Sequence, residues 1–277
     1  MIIWRKLASA KWEDAWVERL AFLGPTRLAV VGLPGRKSLR LEAYNLTQRE
    51  ADAMVKQFGG QIREIKDKSF TTPAPRKPLA IRNRLWVVDN AEAAKQLNGS
   101  RPILIIPAAM AFGTGEHATT ASCLRLLCEI ADRHAKASER WEVLDLGTGS
   151  GILAIAAKAL GAHRAEACDF DPHAVRTAKE NVAMNNAGPL PVRKTDVLKW
   201  TPPRQWDVVC ANLFSQVLIA ASKTITAATR PGGMLVLSGI LRSQEQEVVA
   251  AFEACGFAFQ RTVRKGKWVS LQAQRNR

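Results

Sequence analysis

No apolar run in this 277-residue chain is long enough to cross a bilayer. The longest, Ile103 to Phe112, has ten residues and is broken by Pro107, where a spanning helix needs about 18–20. The opening MIIWRK turns charged after four positions and has no apolar core of secretory length. The five cysteines (Cys123, Cys128, Cys168, Cys210 and Cys255) are scattered without a CxxC pair. That argues against a disulfide frame and a zinc site, so no metal is expected. It points instead to a reducing compartment, the bacterial-type cytosol. No internal repeat, phosphate-loop Lys-Ser/Thr pair or aromatic–basic RNA motif is visible. What is present, 47% hydrophobic and 23% charged residues, is ordinary globular usage and excludes wholesale disorder. The length suits one large or two modest domains.

The net charge of +15 is unevenly placed. Residues 1–100 carry 18 Lys and Arg against 10 Asp and Glu, residues 101–260 carry 16 against 15, and residues 261–277 carry six against none. A near-neutral centre between basic ends suits an acidic partner such as a ribonucleoprotein, or a plain solvated surface. Both readings stay open at this point.

Residues 1–70 read as a small α+β unit. Ile2 to Trp4 is strand-like, and Ser9 is placed to cap a helix through Leu23 with Trp12, Trp16 and Leu20 on one face. Arg27 to Val31 and Leu39 to Tyr44 read as strands joined by a turn. Thr47 and Glu50 form a capping box for a second helix, which Gly59-Gly60 closes before a last strand from Gln61 to Ile65. The order β-α-β-β-α-β is ferredoxin-like. Three prolines between Thr71 and Pro78 mark a linker. The expected division is residues 1–70, a linker and lead-in over 71–100, and a second domain over 101–277. In that second domain, strands at Glu142–Leu146, Arg164–Cys168, Trp206–Ala211 and Met234–Leu237 alternate with helices. The pattern calls for a Rossmann-like α/β fold, a mostly parallel sheet with helices on both faces.

The strongest local signal is Val143-Leu144-Asp145-Leu146-Gly147-Thr148-Gly149-Ser150-Gly151, followed by an apolar helix. A strand entering a glycine turn and a helix presents bare backbone N–H groups to a ligand. The spacing is G-x-G-x-G, so the dinucleotide pattern G-x-G-x-x-G is not met. Asp169 closes the next strand, 22 residues after Gly147, where a carboxylate can accept bonds from both ribose hydroxyls. Asp145, just before the glycines, suits a ligand with a cationic head. The alternative for these features is a tight turn with helix-capping aspartates.

These residues resemble the class I methyltransferases that use S-adenosylmethionine. Ala111-Phe112-Gly113-Thr114-Gly115-Glu116-His117-Ala118-Thr119-Thr120 is similar to the A-F-G-T-G-x-H-x-T-T signature of one family, PrmA, the methyltransferases of large-subunit ribosomal protein L-eleven. Cys210-Ala211-Asn212-Leu213 and Leu237-Ser238-Gly239-Ile240-Leu241 also resemble that family. The resemblance implies S-adenosyl-L-methionine as cofactor, with Thr120 at its methionine end, Gly147 and Gly149 in the turn and Asp169 on the ribose. Asn212 falls where methyl donor meets acceptor. The implied substrate is lysine or N-terminal amines of a ribosomal protein, chosen by the amino-terminal domain. No membrane role and no sequence-specific nucleic-acid binding are expected, and the expected location is cytoplasmic.

An Asn carbonyl at a strand end can accept an N–H bond and aim an amine lone pair, though Asn212 can equally cap the helix beginning at Phe214. Phe112 and His117 are loop or substrate candidates, with pinning of the loop the favoured role for His117. His134, His163 and His173 read as surface groups, and Cys168 and Cys210 as small core residues. Trp12 and Trp16 read as core rather than a recognition platform. Asp196 either bonds the adenine amino group or shapes a turn. The competing functions are the same chemistry on another protein's lysine or on RNA, and a ribosome-associated binding module without activity.

Overall fold

The computed structural model describes residues 2–12, 15–16, 19–23, 27–32, 38–64, 77–107 and 117–277. It divides into two compact units, Met1–Ala74 and Pro75–Arg277.

In the first unit, β1 (Ile2–Ser9), β2 (Leu28–Gly32), β3 (Ser38–Leu46) and β4 (Gln61–Glu64) form an antiparallel sheet in the order β2-β3-β1-β4. That is the strand order of a ferredoxin-like sheet. Helix α1 (Gln48–Phe58) starts on the expected capping box. Glu50 N–H donates to Thr47 Oγ1, and Thr47 N–H donates to the Glu50 carboxylate. Its C-terminal end is tied to β1 by Trp4 Nε1–H donating to the Gly59 carbonyl at 2.7 Å. Trp4 is fully buried among Leu20, Leu41 and Met54.

The expected helix start at Ser9 is corrected. Ser9 is the last residue of β1 and pairs with Ser38 across the sheet. Ala10–Trp12 and Ala21–Leu23 are 3₁₀ turns. The ladder to β3 prolongs the strand past the point where local signals favoured a cap, because its partner lies almost thirty residues away. Trp12 is thereby left 55% exposed, while Trp16 packs edge-on against Phe58. Of the two tryptophans, only Trp16 joins the core.

The second unit opens with a small sheet of β5 (Leu79–Ile81), β6 (Leu85–Val88) and β7 (Ile103–Ile105), with α2 (Ala91–Lys95) between β6 and β7. The chain continues through α3 (Ala118–Ala137), β8 (Glu142–Leu146), α4 (Ile152–Ala159), β9 (Arg164–Asp169), α5 (Pro172–Met184) and β10 (Val192–Lys194). Then follow β11 (Trp206–Asn212), α6 (Ser215–Ala220), α7 (Ser222–Ala228), β12 (Thr229–Leu241), α8 (Glu245–Glu253), β13 (Phe257–Lys265) and β14 (Trp268–Arg275). The seven-stranded sheet runs β10-β9-β8-β11-β12-β14-β13. Its first five strands are parallel, and the β13–β14 hairpin adds two strands with antiparallel pairing.

Alternation along the strands sorts the two faces of the sheet. Val208, Cys210, Met234 and Val236 pack with α3, α4 and α5, whereas Val209, Ala211, Leu235 and Leu237 pack with α6, α7 and α8. This is the Rossmann-like α/β arrangement, with helices on both faces. Strand order reverses between β8 and β11, so the C-terminal ends of β8, β9 and β11 open on one crevice, where open α/β sheets bind ligands. No described helix is long and apolar enough to cross a membrane.

Candidate functional site

The glycine turn leaves β8 and is held from three sides. Thr148 N–H donates to the Cys168 carbonyl at 3.0 Å, and Gly149 N–H to Asp169 Oδ2 at 2.8 Å. Asn181 of α5 reaches back 2.8 Å to the Ser150 carbonyl. Gly147 has a φ of +68°, and a Cβ there would lie 2.2 Å from Leu213 Cδ2. Leu213 is itself wedged from the other side. Its N–H donates to the Ser238 carbonyl, and a Cβ on Gly239 (φ +81°) would lie 2.4 Å from its carbonyl oxygen. Two glycines far apart in sequence thus let one leucine sit between the turn and β12.

Asp169 ends β9 with its carboxylate half-buried in the crevice. Oδ2 accepts from Gly149 N–H and Oδ1 from Asp171 N–H at 3.0 Å. Burial pushes its pKa up, opposed by those backbone N–H groups.

Asp145 lies beneath the turn rather than at its mouth. It is 1% exposed, and its Oδ2 accepts from Thr148 Oγ1 at 2.5 Å. Burial raises its pKa to about 7 against the pull of the Thr148 hydroxyl, with the nearby Asp169 adding to the rise. In that position Asp145 shapes the turn through Thr148, and its Oδ1 is buried without a hydrogen-bond partner among the described residues.

Asn212 is the last residue of β11. The cap reading fails, because the N-cap of α6 is Phe214 and no side chain caps that helix. The Asn212 Oδ1 is buried and has no hydrogen-bond partner among the described residues, and the same is true of Thr120 Oγ1 at the start of α3. A buried polar atom left unpaired costs on the order of 1–3 kcal/mol, so each of these atoms calls for a partner. His117 is the N-cap residue of α3, with Nδ1 2.7 Å from Thr119 Oγ1 and its ring edge-on to Trp268 at 5.2 Å. Phe112 and the signature up to Glu116 lie outside the described residues.

The structure therefore brings Gly149 to Asp169, Gly147 to Leu213 beside Asn212, and Asn212 Nδ2 to within 3.4 Å of Thr119 Oγ1, with Thr120 the next residue along α3. Asp196 accepts from Leu198 N–H at 3.0 Å, a turn-shaping bond. His134 is no solvated histidine, since it stacks on Trp141 at 5.4 Å; His163 and His173 are exposed. Cys168 and Cys210 are buried as expected, and burial pushes the Cys168 thiol up to about 12. Sequence reasoning missed Thr119, Asn181 and the wedge made by Leu213. Only pairs far apart in the chain reveal their roles.

Comparison with known proteins identifies the family. The family model described as ribosomal protein L11 methyltransferase (PrmA) matches residues 26–276. A ribosomal protein L11 methyltransferase of Pelobacter propionicus is 40% identical over 212 residues, covering 76% of this chain and 68% of that protein. One of Pseudomonas aeruginosa is 39% identical over 203 residues, 72% of this chain and 64% of its own length. The aligned stretch thus spans about two thirds of these relatives. The crystal structure of a ribosomal protein L11 methylase from Lactobacillus delbrueckii subsp. bulgaricus superposes with a TM-score of 0.63 at 27% identity, covering 73% of this chain and all of that one. On the family match, the relatives and the fold, the chain belongs to the PrmA family of ribosomal protein L11 methyltransferases.

Proposed function

We propose that this chain methylates lysine and/or N-terminal amines of ribosomal protein L11, using S-adenosylmethionine in the cytoplasm. The observation that carries this is the buried, unpartnered Oδ1 of Asn212 at the end of β11, in the crevice of the glycine turn. The groups in that crevice fit such a cofactor. Thr120, with its own unpaired hydroxyl, would hold the methionine end, Gly147 and Gly149 would leave room beside the backbone, and Asp169 would take the ribose hydroxyls. Asp145 supports the turn through Thr148.

When bound, the cofactor supplies a methyl group on a sulfonium, open to in-line attack by a neutral amine. What this chain adds is position. An amide oxygen that accepts one amine N–H fixes the direction of the amine's lone pair, and alignment of this kind is a large part of rate enhancement. The Asn212 carbonyl is buried, so water does not compete for that bond. Among the described residues no side chain in the crevice is placed as a dedicated base, and solvent takes the amine proton. The amino-terminal unit, with its basic surplus, is assigned to substrate choice.

Mass spectrometry of ribosomal proteins from cells with and without this protein tests the reading. Methyl groups on L11 amines should vanish in its absence and return with the parent chain, but not with Asn212→Ala. An unchanged L11, or methyl loss confined to RNA or another protein, rejects it.

A further inference from the structure

Asn212 poses a problem that its own side chain does not solve. A primary amide carries a carbonyl on one side and NH2 on the other, and half a turn exchanges them. Only one orientation accepts a bond from an amine N–H; the other sets N–H against N–H. The carbonyl side has no protein partner to hold it. On the nitrogen side, Nδ2 lies 3.4 Å from Thr119 Oγ1.

A free hydroxyl would not discriminate, because it can accept from an NH2 or donate to a carbonyl. The Thr119 hydroxyl is not free. Its Oγ1 is also 2.7 Å from His117 Nδ1. The direction of that bond depends on the His117 tautomer; with the ring proton on Nε2, Nδ1 is a bare lone pair and takes the one proton that Thr119 has. Only lone pairs then remain to face Asn212. We propose that Thr119, its proton committed to His117 Nδ1, is a positioning residue that locks the Asn212 amide with Oδ1 toward the acceptor amine.

The supporting geometry is rigid. Thr119 is the second residue of α3 and is 1% exposed, and the His117 ring is braced edge-on by Trp268 of β14. The buried Ser238–Ser270 hydroxyl pair lies on the strands beside it, with Ser238 in register opposite Asn212. The inference rests on the reading of Asn212 given above, and it assigns the neighbouring threonine a different task from that of Thr120.

Thr119→Val removes the hydroxyl at equal shape, and Thr119→Ser restores it. In single-turnover methyl transfer to L11 with saturating cofactor, Thr119→Val should be slower by about tenfold or more, the scale of one lost buried hydrogen bond. Cofactor affinity should stay within about twofold, and Thr119→Ser should recover most of the rate. In an Asn212→Ala background, Thr119→Val should cost almost nothing further.

A second readout does not depend on transfer. The side-chain amide signals of Asn212, identified in ¹⁵N spectra by their loss in Asn212→Ala, should move in Thr119→Val and return in Thr119→Ser. If Thr119→Val does not fold, His117→Phe keeps the ring against Trp268 while freeing the hydroxyl proton, and should move the same signals. Unmoved amide signals in a folded variant, a parent rate in Thr119→Val, a Thr119→Ser as slow as valine, or fully additive losses each overturn the relay. A parent chain inactive on L11 overturns the proposed function instead, and the amide signals still judge the relay.

Discussion

A carboxylate buried beneath a glycine turn makes stability depend on pH, and Asp145 is that carboxylate. Its folded pKa of about 7 lies above the ordinary 3.8, chiefly through burial. The folded chain therefore binds more protons than the unfolded one between those two values. The group's contribution is fully present below about pH 4 and is lost as pH rises through about 7. Asp145→Asn keeps an acceptor for the Thr148 hydroxyl and removes the charge. It should flatten the fall in stability over that window and raise stability at pH 8 by up to about 4 kcal/mol. Urea melts of parent and variant at pH 5 and pH 8 measure this, and parallel curves would remove Asp145 as the cause. The sequence held the clue to its burial, since Asp145 shares strand parity with core residue Val143. At Asn212 the sequence left a cap and an orienting amide equally open. The choice fell to the backbone beyond it, which makes Phe214 the helix cap.

Elements built from near neighbours were legible, and those closed by distant partners were not. The strand–turn–helix around Gly147 and the Thr47–Glu50 capping box are both written within a few residues, and both form where expected. The helix expected from Ser9 does not start there, because Ser9 stays in a ladder with β3 whose pairing no local pattern announces; Ala15, Trp16 and Arg19 further on are helical. The wedge of Leu213 between Gly147 and Gly239 is another long-range fact, and it carries a prediction. Gly147→Ala imposes a left-handed backbone on a residue with a side chain, costing about 1–2 kcal/mol. It also drives a Cβ to 2.2 Å from the tip of Leu213. That tip is flexible, so the clash is separable from the strain. Gly147→Ala alone should lower both stability and cofactor affinity, whereas Gly147→Ala with Leu213→Ala should recover the clash but not the backbone cost. Thermal melts and calorimetric titration with S-adenosylmethionine read the two effects. A double variant no better than the single would place the whole cost in the backbone.

The division of labour between the two units is a property of the whole chain. Every crevice residue named here lies beyond residue 117, and the buried clusters on both faces of the large sheet are drawn from residues after Pro75. The amino-terminal unit has its own core around Trp4, Leu41 and Met54. Each unit thus has its own buried apolar cluster, as a domain does. The charge is shared, with 13 Lys and Arg against 8 Asp and Glu over residues 1–74 and 27 against 17 over residues 75–277. Such a surplus steers an acidic particle toward the enzyme without helping the chemistry, and it acts over roughly a Debye length of about 8–10 Å in ordinary buffer. A chain of residues 75–277 should therefore melt cooperatively and bind S-adenosylmethionine within about threefold of the parent. Its kcat/KM on L11 should fall by at least about tenfold, the loss expected when substrate-binding contacts go and the reacting groups stay. Raising the salt should slow the parent more than the shortened chain, because only the parent carries the amino-terminal charge. A shortened chain that methylates L11 at the parent's efficiency would leave residues 1–74 without a role in choosing the substrate. One that folds but no longer binds the cofactor would mean that the crevice depends on the amino-terminal unit for its shape.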